Sequence, residues 1–283
     1  MTSKKSTPNP LWIVLPTWFI CFIFRALEFL VLKTDQTFFG EAVVHSLIGI
    51  VMLILIIILY PLNGERIGLT KTNILSNFLK GMLFSLITFG IAYTTEIIIL
   101  NLDKSFVKVD LYITSYSVNG QIGQQRSIIF FLICILVNIV NVLMEEGMFR
   151  GLFQTLLNQW YQFMASSIIA ALLFGFWHII GPFRNFWEGT VSANGFVDSS
   201  IMFIGISIFV GLKFSLITKL TGNLYMAMGD HFLNNTLLDM FHIISTSGSD
   251  SYITIRILIA QTLSFGVVFV FYLIRKYRAA QAC

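Results

Sequence analysis

The chain has 283 residues, of which 56% are hydrophobic and only 11% charged, with a mean hydropathy of +0.81. Soluble domains carry about 25% charged residues, so a long soluble domain is excluded and the composition is that of an integral membrane protein. The formal net charge of +4 gives no reason to expect a nucleic-acid partner, because the basic residues gather at the ends of apolar segments.

A membrane helix needs about 20 mostly apolar residues. Eight segments qualify: about 11–32, 39–60, 79–100, 128–150, 164–181, 199–219, 223–245 and 253–274. The expected fold class is all-α, a polytopic membrane protein of about eight transmembrane helices forming one integral domain over 1–283. The polar start MTSKKSTPNP leads into an apolar run too long for a signal-peptide core, without a small-residue cleavage site, so the first helix is expected to stay attached. The segment 101–127 is polar enough to lie outside the bilayer as a loop, with a turn at Asn119–Gly120. Cys21, Cys134 and Cys283 form neither a disulfide framework nor a metal-type spacing. With Cys283 as the last residue, no prenylation box is expected.

Basic residues assign the sides. Lys4, Lys5, Arg66, Lys71, Lys80, Arg150, Lys213, Lys219, Arg275, Lys276 and Arg278 fall on the side of the termini. Lys33, Lys104, Lys108, Arg126 and Arg184 fall on the other, diluted by Asp35, Asp103, Asp110, Glu188, Asp198 and Asp250. The bias predicts a multi-pass protein of the cell membrane, in contact with the lipid bilayer, with both termini cytoplasmic.

Charge inside a membrane costs at least ~2.5–3.5 kcal/mol per residue, so the polar residues of the helices carry the functional information. Glu146 and Arg150 are four apart, with the acid on the N-terminal side, and are expected to pair. Glu145 is rotated about 100° from Glu146 and has no partner on its own helix. A free buried carboxylate suits a group that takes and returns protons. The plainer reading is a wet, salt-bridged helix end at the cytoplasmic surface. His178 follows Phe174 by one turn in LLFGFWHII, while His231 and Asn235 share a face, where the amide could orient the ring or polarise a carbonyl. One histidine in a membrane helix is usually an interhelical hydrogen bond; two of them with a glutamate and an asparagine, on three helices, suggest a site. Asp239 and His242 continue the face of His231, either lining a cavity or satisfying each other. Asp230 is expected to cap or bind another helix, Arg25 to pair with Glu28, Glu41 with His45, and Glu96 to be solvated near a boundary. Gly147 and Gly151 are expected to let another helix approach.

Glu145-Glu146-x-x-x-Arg150, Phe174-x-x-x-His178 and His231-x-x-x-Asn235, in this order, resemble the three-motif signature of the CPBP intramembrane proteases. That family includes the type II CAAX prenyl endopeptidases and the bacterial Abi and bacteriocin-processing proteins. The resemblance covers a core of about 128–245 and agrees with an eight-helix fold. It implies an endopeptidase that cuts a membrane-associated peptide or protein, such as a leader, a pheromone precursor or a lipidated C-terminus. By the same resemblance Glu145 activates water, Glu146 and Arg150 support it, and His178 positions the glutamate or the water. His231 and Asn235 stabilise the oxyanion, and Phe174 packs beneath.

The favoured reading requires no cofactor. A zinc ion held by Glu145, His178 and His231, with an open fourth position, is the alternative. No H-E-x-x-H and no G-x-S-x-G occurs. A non-catalytic scaffold, a bacteriocin immunity protein and a proton-path transporter remain further alternatives. Depth poses a constraint. Glu145 lies near the cytoplasmic end of its segment and His178 deeper in its own, so they meet only if the fifth helix starts near Ser166 or a cavity opens from the cytoplasm. Cleavage is then expected in the cytoplasmic half of the bilayer.

Overall fold

The computed structural model describes residues 9–37, 42–60, 62–114 and 123–281. Lys4, Lys5, Glu41, the Asn119–Gly120 turn and Cys283 lie outside them. Helix α1 (Leu11–Leu27) ends in a π-helical turn, Glu28–Leu32, and is followed by α2 (Val44–Leu59) and α3 (Ile74–Leu102). Strand β1 (Val107–Leu111) precedes α4 (Ile128–Glu145), which runs through a π-helical segment, Glu146–Phe153, into the short α5 (Gln154–Leu157). Then come α6 (Phe163–Trp177), α7 (Ile180–Trp187), α8 (Ala193–Thr221) and α9 (Tyr225–Met240). Strands β2 (Phe241–Ser245) and β3 (Gly248–Ser249) lead to α10 (Ile253–Gln281).

Six helical runs are long and apolar enough to cross a membrane, while α2 and α9, at 16 residues each, are shorter. Isoleucines and leucines of α1, α2, α3, α4 and α10 are exposed on the outside of the bundle, as lipid-facing surfaces require. Helix α9 instead buries Asp230, His231, Asn234 and Asp239 among its neighbours. That enclosure is what lets so polar a helix exist in an apolar bundle.

Two features differ from the sequence expectations. The segment expected to be a loop contains β1, whose alternating VKVDL pairs antiparallel with β2, Asp110 opposite His242 and Leu111 opposite Phe241. The helix expected over 223–245 therefore stops at Met240, because the β-branched stretch after it finds a strand partner. The resulting sheet, in the order β1-β2-β3, sits at the end of the bundle opposite the termini.

Glu96 is not solvated. It is buried in α3 and accepts from Arg256 of α10 at 2.5 and 3.0 Å, and the same guanidinium reaches Asp250 at 2.7 Å. Burial pushes the Asp250 carboxyl up, but His242 (2.5 Å) and Arg256 outweigh it and hold it below the usual carboxylate range. Sheet and α10 are thereby clipped together. Arg150, Lys213 and Arg184, taken above as markers of sides, are all buried in ion pairs and mark none. Arg66, Lys71, Lys80, Lys219, Arg275, Lys276 and Arg278 remain exposed at the end of the termini, against Lys104, Lys108 and Arg126 at the other.

Helices α3 and α9 cross through two glycines. A methyl group on Gly229 would run into the Phe78 carbonyl oxygen, and one on Gly81 into the Met226 carbonyl oxygen. Backbone meets backbone there, so neither clash can be relieved by a side-chain rotation. Gly147 and Gly151 also lie in close packing: an added Cβ would stand 2.8 Å from Leu53 Cδ2 and 3.1 Å from the Ile67 carbonyl. Gly229→Ala is expected to destabilise the protein by about 1–3 kcal/mol or more. A thermal melt in detergent indistinguishable from wild type would contradict this crossing.

Candidate active site

The π-helical segment after Glu145 is fully buried, and its first acid holds two donors on one oxygen, Oε1, while Oε2 has no hydrogen-bond partner among the described residues. Glu146 Oε1 accepts from Arg150 Nη1 at 3.0 Å and from His231 Nδ1 at 2.8 Å. Arg150 is wedged between two rings, its guanidinium carbon 4.0 Å from the Phe174 centroid and 5.2 Å from that of Phe214. The His231 ring stacks on Phe214 (5.0 Å between centroids, 27°) and meets Phe174 edge-on at 6.1 Å. A carboxylate only accepts, so Nδ1 of His231 carries the proton and Nε2 is turned toward Glu145, 3.6 Å from its Oε2.

Glu145 has partners that the sequence did not reveal, all from other helices. Its Oε1 accepts from Trp177 Nε1 at 3.0 Å and lies 3.8 Å from Arg25 Nη1. Its Oε2 is buried without a hydrogen-bond partner among the described residues. Arg25 does not pair directly with Glu28, as expected, but through His45. Arg25 Nη1 donates to His45 Nε2 at 2.7 Å, and His45 Nδ1 donates to Glu28 Oε2 at 2.7 Å. Glu28 also accepts from the backbone N–H groups of Val44 (2.8 Å) and His45 (2.5 Å), and from the Thr34 hydroxyl. Phe29 and Trp177 flank the Arg25 guanidinium at 4.7 and 4.9 Å.

His178 stands just past the last residue of α6, and its Nδ1 donates to the Phe174 carbonyl at 2.8 Å. That bond fixes the tautomer and leaves Nε2 as an acceptor. Phe174 supports the ring edge-on at 4.7 Å. The depth constraint is met in an unexpected way. The helical run through Glu145 continues to Leu157, which puts Glu145 ~18 Å from that end, while His178 lies ~22 Å from the start of α6 at Phe163. The two reach one level without a late start at Ser166.

Glu145, His178, His231 and Asn235 all line one cavity of about 160 Å³, together with Arg25, His45, Asn138, Asn141, Asn234, Asp239 and Gln261. The Asn235 amide makes no hydrogen bond to a described side chain or backbone group. The cavity draws on the late residues of α1, α6 and α9, the early residues of α2 and α10, the second half of α4 and the middle of α8. It therefore extends from Glu145, near the middle of the bundle, toward the end away from the termini. Among the described residues, no group of three or more His, Cys, Asp or Glu side chains is arranged to hold a metal ion.

Asp230 binds another helix, 2.8 Å from Lys213 Nζ. His242 leaves the face of His231 because it lies on β2, where its ring pairs with Asp250 and stacks on Tyr112. Asp239 stays on the cavity wall. Arg25 and His45, read from the sequence only as members of local pairs, belong to the site, and Trp177 and the amides of Asn138, Asn141 and Gln261 escaped the sequence reading. Their one signal was polarity within apolar segments, which announces a partner without saying which.

Residues 127–237 match the model of a family described as type II CAAX prenyl endopeptidase, Rce1-like. No curated protein matches the chain. The matched stretch contains Glu145, Glu146, Arg150, Phe174, His178, His231 and Asn235, but neither Arg25 nor His45.

Arg150→Ala would leave Glu146 buried opposite a single imidazole, and breaking such a pair costs about 3–5 kcal/mol. A strongly lowered melting temperature in detergent is the expected result; an unchanged one would show that Glu146 does not depend on the guanidinium.

Proposed function

With residues 127–237 belonging to the Rce1-like family of type II CAAX prenyl endopeptidases as the premise, we propose that the chain is an intramembrane endopeptidase in which Glu145 activates the attacking water. One observation carries this reading. Glu145 has one oxygen pinned by Trp177 and the other buried without a donor, directed at His231. A buried acceptor left without a donor is costly, and the O–H of a substrate water supplies what it lacks.

The water proton goes to Glu145 as its oxygen attacks the scissile carbonyl carbon. Nε2 of His178 accepts from the second O–H of the same water and fixes its orientation. The carbonyl oxygen becomes an oxyanion, which accepts from the Asn235 amide, beside the His231 ring that Glu146 holds in place. Glu145 then returns the proton to the departing nitrogen as the C–N bond breaks, leaving a carboxylic acid, which releases its remaining proton to water, and an amine. No step requires a metal. The substrate class is a membrane-associated peptide or protein; leader processing, maturation of a lipidated C-terminus and bacteriocin self-immunity all fall within it.

Glu145→Gln is expected to lower turnover by about 10²–10⁴-fold, the range of general acid–base catalysis. Peptides isolated from membranes with wild-type and Glu145→Gln protein should differ by discrete cleavage products, and exhaustive chelation should leave the wild-type products in place. Identical peptide sets would favour a scaffold, and loss of products on chelation would favour zinc.

The exposed basic residues at the end of the termini support a cytoplasmic location for that end. The cavity then extends from Glu145, near the middle of the bilayer, toward the opposite side, from which the substrate enters. In protein freed of its native cysteines, Ser207→Cys on the cavity wall should react with a membrane-impermeant maleimide in intact cells, whereas Arg278→Cys should react only in inside-out vesicles. The reverse pattern would invert the topology.

A further inference from the structure

The cavity has a second polar end, which the hydrolysis proposed above does not use. Asp239 lies eight residues beyond His231 on α9, and Asn138 seven residues before Glu145 on α4. At 1.5 Å per residue, both helices put this end about 10–12 Å from the catalytic carboxylate. Asp239 Oδ2 accepts from Asn138 Nδ2 at 3.0 Å and lies 3.8 Å from the Cys134 thiol, while Oδ1 makes no hydrogen bond to a described residue.

Every other buried carboxylate of the described bundle has a basic side chain beside it. Glu28 has His45, Asp35 has Arg184, and Glu96 has Arg256. Glu145 has Arg25, Glu146 has Arg150, and Asp230 has Lys213. Asp239, only 6% exposed, has none within ion-pair distance among the described residues. The nearest basic ring, His242, directs Nδ1 at Asp250 and Nε2 at the backbone carbonyls of Tyr112 and Asp239. Arg126 is occupied by Asp110, and Arg256 by Glu96 and Asp250.

Between the two ends the wall carries the amide of Asn235 and the Nδ2 groups of Asn141 and Asn234, whose oxygens accept from Ser46 and Gln261. An amide side chain both donates and accepts, as an extended peptide backbone requires. Extended chain advances about 3.3 Å per residue, so the two ends stand about three residues apart. Resting on the endopeptidase reading, we infer that Asp239 and Asn138 form a specificity subsite for a cationic group of the substrate, carried about three residues from the scissile bond. A lysine or arginine side chain and a free N-terminal ammonium share this chemistry.

The test uses nine-residue peptides of alanine and leucine carrying one Lys, norleucine or Glu, each with a free and an acetylated N-terminus. Their binding to full-length Glu145→Gln protein in detergent is read by fluorescence anisotropy. Lys peptides should bind at least tenfold more tightly than norleucine peptides. The ratio should fall to about one in Glu145→Gln/Asp239→Asn, and Glu peptides should become the tighter ligands in Glu145→Gln/Asp239→Lys, a gain that misfolding cannot imitate. If acetylation alone removes the preference, the ligand is the terminal ammonium. A Lys-to-norleucine ratio near one with Asp239 present, or a ratio that survives Asp239→Asn, overturns the subsite.

Mass spectrometry of the same peptides after incubation with wild-type protein gives the register, with cuts expected about three residues from the cation. Efficient cuts without that register overturn the subsite and leave the endopeptidase reading intact. Absence of any cut with the binding ratios preserved overturns the endopeptidase reading and not the cation site.

Discussion

A charge that leaves water for an apolar bundle must find an opposite charge or enough donors, and this requirement organises the protein. The pair of Glu146 and Arg150 is its centre. Arg150 is held on two aromatic faces, and Glu146 shares one oxygen between it and His231. Three helices are thereby fixed around a single carboxylate: the one carrying Glu146, α6 through Phe174, and α9 through His231. With Glu146 so engaged, His231 has one tautomer and one direction.

The same requirement makes the neighbouring acid different. One residue along the helix is a rotation of about 100°, enough to turn Glu145 away from Arg150 and toward α1 and α6. There it meets a donor, Trp177, and a cation at 3.8 Å that is itself restrained by His45 and Glu28. One oxygen is fixed, and the residue lines the cavity. Adjacent residues of one type thus take different settings, Glu146 packed against an arginine and an imidazole, Glu145 on the cavity wall.

The polar interior also explains where the reactive groups sit along the membrane normal. The helical run of α4 and α5 reaches Leu157, so Glu145 lies well inside the bundle. The sheet β1-β2-β3 ends α9 at Met240 and places Asp239 and His242 in different surroundings, although three residues separate them. One remains in the cavity; the other is tied to Asp250 and Tyr112.

The amino-acid sequence by itself determined the class and the motif partners that share a helix. Apolar segment lengths fixed an all-helical membrane bundle, and four-residue spacing fixed the Glu146–Arg150 pair, because both depend on local geometry alone. It also separated Glu145 from Glu146 by the helical period. Tertiary structure decided the rest. Arg25 pairs through His45 and not with Glu28, Glu96 is buried against Arg256, Val107–Leu111 finds a strand partner more than a hundred residues away, and the cavity draws its wall from α1, α2, α4, α6, α8, α9 and α10. These outcomes depend on which helix lies beside which. A buried charge states in the sequence that it needs a partner, but only packing brings one within 3 or 4 Å.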